Sequence, residues 1–413
     1  MMELNDFCRE LGIGTAEEFQ LKPVWNDLTL DWNGELPFFL NMEFFNRVYP
    51  FCKSAFPMEQ TRPIAEEVIR IAKENPVIAL LAHAVYRGAY LLNPIFEFTF
   101  LKDPFPLLGE KCSGMFSVII AMGAYPLIVK GYKESEIPEK YARDIMQWVG
   151  GTMSLYRLSN PDRIGRPFQF NWIRRYIDKT LFRIGRLEFL SHPYPDFLPA
   201  IYRNRKGDLR VFCRDGWTFR ADGQRATMWD QITFTAQLTV TEKTITGTRC
   251  LPDGSVDFEH TETIRKEEWF PAASPWDNCP SMHISAGLPM PFEEVKESML
   301  AARTFFETYF HQRVPMFCCW SWIFCPAWEE YLPNSNIVRF RREAFAFPST
   351  VNDKRPGMIF IFGRADVSPE ELPAANKMQA IYQEAHRKNQ TGYGGIFVLT
   401  EDLEKLGNQY YRK

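Results

Sequence analysis

The first part of the chain carries apolar residues at the spacing of amphipathic helices. The stripe that follows Pro63 comprises Ile64, Val68 and Ile71. This pattern predicts a helix with Pro63 in its first turn. Asn75 and Pro76 are predicted to be the N-cap and the first residue of a second helix. Because no strand-like alternation occurs before residue 165, we expect an all-helical domain over residues 1–165.

The segment 158–167, which contains proline and glycine, is predicted to join this domain to the rest of the chain. One further helix is predicted over 172–182. Apolar and polar residues then alternate from Ile232 to Thr241, which indicates a strand with one solvated face. Several Asp-Gly and Lys-Gly turns punctuate this region, so an antiparallel meander is expected over about 186–270.

Helices and strands are predicted to mix after residue 280. Strands are predicted over 281–285, 314–322, 344–348, 358–362 and 395–399, and helices from Pro291 to about 309, over 326–342 and over 374–387. The predicted fold class is therefore α+β. An all-helical N-terminal domain is followed by a mixed β-sheet domain flanked by helices, over residues 166–413.

Length and charge restrict the classes of function. The chain has 413 residues, whereas a single core stops growing at roughly 250–300 residues, so two domains are expected. The net charge is -3 without any basic run, which argues against binding nucleic acid or an anionic membrane. Two apolar stretches do not fit a membrane span, because Val77–Leu92 contains His83 and Arg87 and Phe116–Val129 is too short. Both are predicted to be buried helices.

Neither the N-terminal segment nor the cysteine content suggests that the protein is secreted. The acidic N-terminus has no apolar segment of the kind that signal peptides contain. Nine cysteines are scattered along a long chain, whereas a disulfide framework is typical of short secreted domains. We interpret the cysteines as free thiols and expect a cytoplasmic location.

Four phrases in the C-terminal third resemble a known family. They are Met282–Gly287 (MHISAG), Cys319–Trp322 (CWSW), Tyr331–Phe340 (YLPNSNIVRF) and Phe362–Arg364 (FGR). They stand in the order found in bacterial two-domain proteins with an N-acyltransferase N-terminal helical domain and a GNAT-like C-terminal domain. The similarity extends over nearly the whole chain, and it implies a GNAT-like sheet at the C-terminal end.

The resemblance implies acyl-coenzyme A, for example acetyl-coenzyme A, as co-substrate, bound where two parallel strands splay apart. The pyrophosphate would lie on backbone N–H groups in the loop before a helix, here the loop after the strand 281–285. The expected contacts in that loop are Ser285, Ala286 and Gly287. The usual Gln/Arg-x-x-Gly-x-Gly/Ala pattern is absent, and Pro289 and Pro291 cannot donate.

A second departure concerns the leaving thiolate. Many GNAT enzymes protonate it with a tyrosine on the helix that here begins near Asn336, but the aligned residue is Phe340. Tyr331 is the nearest phenol and is the candidate substitute. Asn336 and Arg339 are expected to contact the cofactor, although a cluster such as Arg339, Arg341 and Arg342 is more often a solvated helix face.

His283 and Glu188 are the candidate catalytic residues. Transfer to an amine needs a base whose pKa lies near neutrality, and an imidazole has such a pKa. The alternative for His283 is a hydrogen-bonded core histidine. A desolvated carboxylate at Glu188 would also accept the proton, and the alternative is a carboxylate at a strand end in solvent.

The strand that contains Cys319, Trp320 and Ser321 is expected to line a substrate cleft with one of its faces. Trp320 and Trp322 are predicted to share one face, and Cys319 and Ser321 the other. Cys318, Cys319 and Cys325 lack the CxxC spacing of zinc sites, so no metal is expected. As a nucleophile, Cys319 would need a neighbouring imidazole; burial as a small apolar residue is the alternative.

The hypothesis from the sequence is an acyltransferase that moves an acyl group from coenzyme A to a small-molecule amine by direct attack. A non-catalytic binding protein on a GNAT-like scaffold is the first alternative. A thiol hydrolase that uses Cys319 and His283 is the second. The helical domain is expected either to shape the acceptor site or to form a homodimer.

Overall fold

The computed structural model of this chain describes residues 2–287 and 289–413. Contacts between Cα atoms divide it into two compact units. The first contains the described residues up to Arg183 and the short segment 285–287, and the second contains Ile184–Ile284 and Pro289–Lys413. The segment 158–167, predicted to join two domains, lies inside the first unit.

The first unit is helical. Its helices are α1 (Leu4–Glu10), α2 (Thr15–Leu21), α3 (Trp25–Leu28), α4 (Met42–Val48), α5 (Met58–Glu74), α6 (Pro76–Tyr90), α7 (Gly109–Met122), α8 (Tyr125–Glu134), α9 (Glu139–Ile145), α10 (Gln147–Ser159) and α11 (Asn171–Ile177). Strand β1 (Leu181–Ile184) follows, and the unit boundary falls within it.

Helices α6 and α7 are the buried centre of this unit. Nearly every residue of α7 from Cys112 onward is buried, and most of α6 is buried as well. The stretch Gly109–Glu134 has the length and apolar composition of a membrane-crossing helix, but 83% of its most apolar window is buried inside the structure. Both stretches that were predicted to be buried helices therefore lie in the core, with the second divided between α7 and α8.

A close backbone contact fixes α7 against the segment that precedes α11. A Cβ atom at Gly165 would lie 2.2 Å from the Cα atom of Gly114, so only glycine fits there. The neighbouring Arg166 N–H donates to the Gly114 carbonyl at 3.2 Å. The turn in the sequence at Gly165 therefore serves packing inside the first unit.

The helix signals in the first unit were partly correct. The Asn75 side chain accepts from Val77 N–H at 2.9 Å, and Pro76 opens α6, which confirms the predicted cap. The prediction that Pro63 begins a helix was wrong, because α5 begins at Met58 and contains Pro63. The predicted helix 172–182 ends at Ile177, since the last residues up to Phe182 enter β1.

The second unit mixes strands and helices. Its strands are β2 (Leu187–Leu190), β3 (Ala200–Asn204), β4 (Leu209–Phe212), β5 (Thr218–Phe219), β6 (Phe234–Thr235), β7 (Leu238–Val240), β8 (Thr244–Cys250), β9 (Val256–Arg265), β10 (Trp269–Pro271), β11 (Ser281–Ile284), β12 (Met316–Ser321), β13 (Phe345–Ser349) and β14 (Tyr393–Leu399). Its helices are α12 (Phe292–Phe310), α13 (Trp328–Tyr331), α14 (Asn336–Glu343), α15 (Met358–Phe362) and α16 (Lys377–Arg387).

The main sheet of this unit has the strand order β2-β11-β12-β14-β13. β11 and β12 are parallel, whereas β2 with β11, β12 with β14, and β13 with β14 are antiparallel. A parallel pair inside an otherwise antiparallel sheet needs a crossover, and α12 is that crossover. Its inward stripe includes Val295, Met299, Ala302 and Phe306.

The meander predicted over 186–270 was partly correct. Its strands from β3 to β10, except β5 and β6, form a second sheet in the order β10-β3-β4-β8-β7 with β9 also paired to β8, and the described pairs are antiparallel. β2 belongs to the main sheet instead, and β5 pairs with β6 in a separate ribbon. The single strand predicted from Ile232 to Thr241 was wrong. It divides at Ala236 into β6, which pairs with β5, and β7, which pairs with β8. Ile232 and Val240, predicted to face the core, are more than half exposed.

Two more predictions in the second unit need correction. Residues 358–362 form helix α15 instead of a strand, between Gly357 and Gly363, both of which have positive φ. Trp322 does not share a strand face with Trp320, because β12 ends at Ser321 and a 3₁₀ turn begins at Trp322. The fold as a whole is α+β, with a helical N-terminal region followed by a mixed sheet with flanking helices, as predicted.

Candidate functional site

The parallel strands β11 and β12 part within the main sheet. Their register contains the single pair Ser281 with Cys318, and Cys318 N–H donates to the Pro280 carbonyl at 3.2 Å. Beyond that point β11 stays paired with β2, and β12 stays paired with β14. Past Ser281 and Cys318 the two strands no longer pair with each other, and we call this gap in the pairing, beside His283, the slot.

The edge of β12 that faces this slot includes a backbone donor. Cys318 N–H points toward β11, and N–H groups two residues apart on a strand point to the same side. The N–H of Trp320 therefore points toward β11 as well, past the last residue pair of the register. This is the position at which a carbonyl group in the slot would find a hydrogen-bond donor.

His283 and Glu188 face each other across β11 and β2. They are direct partners in the antiparallel register, and such partners project from the same face of a sheet, with Cβ atoms about 4.5–5.5 Å apart. Glu188 is only 2% exposed, so the solvated carboxylate considered as its alternative was wrong. The structure thus brings together the two residues proposed for proton transfer.

Other side chains on this face surround His283. The Ser281 hydroxyl and His283 Nε2 are 3.2 Å apart. The ring of Trp320 lies 6.5 Å from the imidazole in an edge-to-face arrangement, and the ring of Phe197 lies 3.9 Å from Trp320. His283 is only partly buried. His283 and Glu188 therefore share this face of the sheet with the aromatic rings of Trp320 and Phe197.

The opposite face of β12 gives a different environment to Cys319. Alternation along the strand turns Cys319 away from the face of Trp320 and His283, and the thiol is 4% exposed. Burial raises the pKa of the Cys319 thiol to about 12. The pairing of Cys319 with His283 that a thiol hydrolase needs is therefore wrong, and Cys319 is a small core residue.

Ser321, the other predicted cleft residue on that face, caps the 3₁₀ turn that follows β12. Its hydroxyl accepts from Ile323 N–H at 3.4 Å. Within residues 2–287 and 289–413, no group of three His, Cys, Asp or Glu side chains is placed to hold a metal ion. Of the three predicted cleft residues, Trp320 lies on the face of His283.

The predicted pyrophosphate residues after β11 belong to the first unit. Ser285 Oγ accepts from Arg183 Nη1 at 2.8 Å. Gly287 has φ +87° and lies against Gly151 and Ser154 of α10, and the carbonyl of Ala286 also approaches Gly151. This tight backbone turn explains the glycine at 287.

Arg339 reaches the first turn of α12. Its Nη2 lies 2.7 Å from Glu293 Oε1, and its guanidinium lies 5.1 Å from the centre of the Phe292 ring. Asn336 is the first residue of α14, next to the Ser335 cap. Arg339 thus lies at the helix end where a phosphate was expected, although it already pairs with a carboxylate there.

The arginines that follow Arg339 are structural. Arg341 is buried, donates to the Phe324 and Asp253 carbonyls and pairs with Glu329. Arg342 also pairs with Glu329, at 3.1 Å. Both alternatives from the sequence, a phosphate contact and a solvated face, are therefore wrong for Arg341.

Tyr331 packs against a core cluster of the second unit that includes Trp328 and Tyr382. Its hydroxyl donates to Gln390 Oε1 at 2.7 Å, and the Lys388 ammonium lies 5.5 Å from the centre of its ring. Phe340 fills the core against Phe292 and Phe324. The placement of Tyr331 gives no support to its predicted role as the acid that protonates the leaving thiolate.

Sequence reasoning missed Phe197, which lies just before β3 and whose ring contacts Trp320 in a tilted arrangement. No local motif marks it, because the contact joins residues far apart in sequence. The pairing of β2 with β11 was equally invisible, since the register between two strands almost a hundred residues apart has no signal in either strand alone.

A helical first unit and a mixed sheet whose parallel pair parts define the α+β architecture of this chain. The sequence model of the family described as GNAT-like C-terminal domain matches residues 181–396, which is more than half of the chain. The chain therefore belongs to the GNAT-like C-terminal domain family. No curated protein matches it.

Solved structures of acyltransferases share this fold. One is an acyltransferase in complex with decanoyl-CoA and teicoplanin, with 15% identity, a TM-score of 0.60, and coverage of 97% of this chain and 100% of that chain. Another is an acyltransferase mutant in complex with octanoyl-CoA, with 16% identity, a TM-score of 0.59, and coverage of 96% and 99%. At these identities the likeness shows the fold.

Proposed function

We propose that this protein is an acyl-coenzyme A-dependent N-acyltransferase, which transfers an acyl group to a small-molecule amine by direct attack. The observation that carries the proposal is the slot between β11 and β12, with His283 and Glu188 opposite each other at its side. Family membership and the acyl-CoA complexes of proteins with the same fold support it.

In this mechanism His283 accepts a proton as the amine nitrogen attacks the thioester carbonyl. The N–C bond forms, the C–S bond breaks, and the thiolate leaves and takes up a proton. The N–H of Trp320 lies on the slot edge, where it would donate to the carbonyl oxygen as negative charge develops. Glu188, in register with His283, would stabilise the imidazolium. Removal of a general base such as His283 typically lowers the rate by about 10²–10⁴-fold.

Binding of the co-substrate is the first test. Wild-type protein is titrated calorimetrically with acetyl-coenzyme A and with octanoyl-coenzyme A, and saturable binding of at least one is expected. Absence of binding at millimolar concentration, which corresponds to about 4 kcal/mol of affinity, would refute the proposal. Loss of binding in Arg339→Gln would support the cofactor role predicted for Arg339.

Release of the coenzyme A thiol in the presence of amines tests the chemistry. His283→Gln should lower kcat by about 10²–10⁴-fold and leave the dissociation constant of acyl-coenzyme A unchanged. His260→Gln is the matched control, because His260 lies on β9 with 75% of its side chain exposed. Equal turnover by the two variants would remove His283 from the mechanism.

A non-catalytic binding protein is the second candidate. Phe340 stands where the family commonly has a tyrosine, and Tyr331 is held by Gln390. Under this alternative acyl-coenzyme A binds, but a panel of primary amines releases no thiol above the background rate. Any amine-dependent release that is lost in His283→Gln would exclude it.

A further inference from the structure

A second recess lies in the second unit. It has a volume of about 210 Å³ and is bordered by the β5–β6 ribbon, the C-terminal end of β13, the N-terminal end of β14 and the segment after α16. Gln224 from the ribbon lies against Gly392, where an added Cβ would come within 2.4 Å of its Oε1. The proposed reaction uses none of these residues.

The recess borders the same sheet face as His283. Tyr393 lines it and lies two residues before Gly395, which pairs with Trp320, so Tyr393 and Trp320 project from one face. The path from His283 on β11 to Tyr393 on β14 crosses two strand spacings and runs two residues along β14. The distance between their Cα atoms is therefore at least about 12 Å. A molecule of moderate length can therefore reach both places.

The basic groups around the recess differ in whether they are paired with acids. Arg220 is paired with Asp222 and lies 3.6 Å from Asp230, so these acids largely offset its charge. Arg225 has no ion-pair partner among the described residues, and its buried Nε has no hydrogen-bond acceptor there. Lys354 is exposed and lies over the ring of Trp229, 5.1 Å from its centre.

Asp353 also borders the recess and opposes any anion, so the acids named here equal the bases in number. Arg225 lies over the ring of Trp217 at 4.2 Å, which holds its planar group in one orientation. Burial lowers the pKa of Arg225 to about 10, so it remains charged at neutral pH. An oriented, partly desolvated guanidinium without an anion is the arrangement that a carboxylate or phosphate ligand stabilises.

We propose that this recess binds the carboxylate or phosphate group of the amine acceptor, through Arg225 and Lys354. The proposal rests on the proposed acyl transfer and specifies its acceptor. That acceptor carries its anionic group away from the amine, because Tyr393, which lines the recess, lies at least about 12 Å from His283 between Cα atoms. Trp229 and Tyr393 contribute aromatic surface at the recess.

Anion binding can be measured without any turnover. Wild-type protein is titrated with inorganic phosphate and with citrate by calorimetry, and saturable binding in the millimolar range is expected. Lys354→Gln and Arg225→Gln should each weaken it by about tenfold or more, because hydrogen bonds to charged groups contribute that much. Lys377→Gln, an exposed lysine at the start of α16, is the matched control and should bind like wild type.

Lys354→Gln keeps the test valid if Arg225→Gln fails to fold, since Lys354 is exposed. Phosphate binding that survives in both variants, or that is absent from wild type, overturns the proposal. The phosphates of coenzyme A are the other possible source of an anion here. If saturating coenzyme A displaces phosphate from the wild-type recess, the assignment to the acceptor is wrong.

A kinetic comparison then connects the recess to the reaction. Two amines of the same length are compared as substrates, one with a distal carboxylate and one without it. In wild type the amine with the carboxylate should have the lower KM. In Lys354→Gln the two amines should have the same KM, with kcat unchanged. Equal KM values in wild type would refute the acceptor assignment. If no amine is acylated but phosphate binds and is lost in Lys354→Gln, the acyl-transfer proposal fails and the anion site stands.

Discussion

Glu329 on α13 joins three arginines in the second unit. It pairs with Arg341, with Arg342 at 3.1 Å and with Arg412 near the C-terminus at 2.8 Å. Burial alone would raise the pKa of Glu329, but the hydrogen bond from Arg412 and the charges of Arg341 and Arg412 lower it to about 2. The ionised carboxylate is therefore strongly favoured in the folded protein.

The magnitude follows from this pKa. The ordinary value is 4.5, and each pKa unit corresponds to about 1.4 kcal/mol, so ionised Glu329 contributes about 3 kcal/mol to the free energy of unfolding at pH 7. Its side chain is 25% exposed, which limits screening by solvent. Burial lowers the pKa of Arg341, but arginine stays protonated throughout this range, so the carboxylate controls the pH dependence.

Glu329→Gln should lower the free energy of unfolding at pH 7 by about 3 kcal/mol, partly because it leaves Arg341 buried without its carboxylate. Since the folded pKa is depressed, the contribution is fully present above pH 4.5 and is lost as the pH falls toward 2. Urea unfolding followed by tryptophan fluorescence at pH 7, 5, 4 and 3 measures it. The gap between wild type and variant should narrow only below about pH 4.5.

Glu330→Gln is the control, because Glu330 is the exposed neighbour on the same helix. It should change stability by less than about 0.5 kcal/mol at every pH. The reasoning is refuted if the two variants are equally stable at pH 7. It is also refuted if the Glu329→Gln gap keeps its full size at pH 3.

Three further outcomes are expected. Cys319 should resist iodoacetamide at pH 8 in the native protein, since burial raises its pKa to about 12, and rapid labelling with loss of activity would contradict this. Gly395→Ala should destabilise the protein by about 1–3 kcal/mol in urea unfolding, because its Cβ would lie 2.2 Å from the Phe347 ring; Gly131→Ala, with 3.9 Å of clearance, should not. Asn75→Ala should lower the thermal midpoint, since loss of an N-cap costs about 1 kcal/mol, and an unchanged midpoint would show that α6 needs no cap.

The sequence predicted features that depend on neighbouring residues. Asn75 and Pro76 fixed the start of α6, and the alternation of β12 placed Trp320 and Cys319 on opposite faces as predicted. Prediction from the sequence failed where contacts between distant residues determine the secondary structure. Residues 358–362 look like a buried strand, yet Gly357 and Gly363 bound a short helix whose Met358, Ile361 and Phe362 enter the core.

The site shows the same division. His283 and Glu188 were singled out separately by their chemistry, but only the register of β2 with β11 shows that they are neighbours. Tyr331 was chosen because it is close in sequence to Phe340, and its contacts with Gln390 and Lys388 reflect packing that sequence distance cannot indicate. The arginine recess combines the β5–β6 ribbon with the start of β14, which no local pattern predicts.

The early end of the β11–β12 ladder has a consequence for the hydration of the sheet. Past Ser281 and Cys318 the two strands stop bonding to each other, and backbone amides that lose a strand partner are satisfied by side chains, by water or by a guest molecule. An extended ligand with its own amide groups would continue the ladder and release that water. Hydrogen exchange at Trp320 should then slow when the guest arrives, so the backbone itself reports occupancy of the slot.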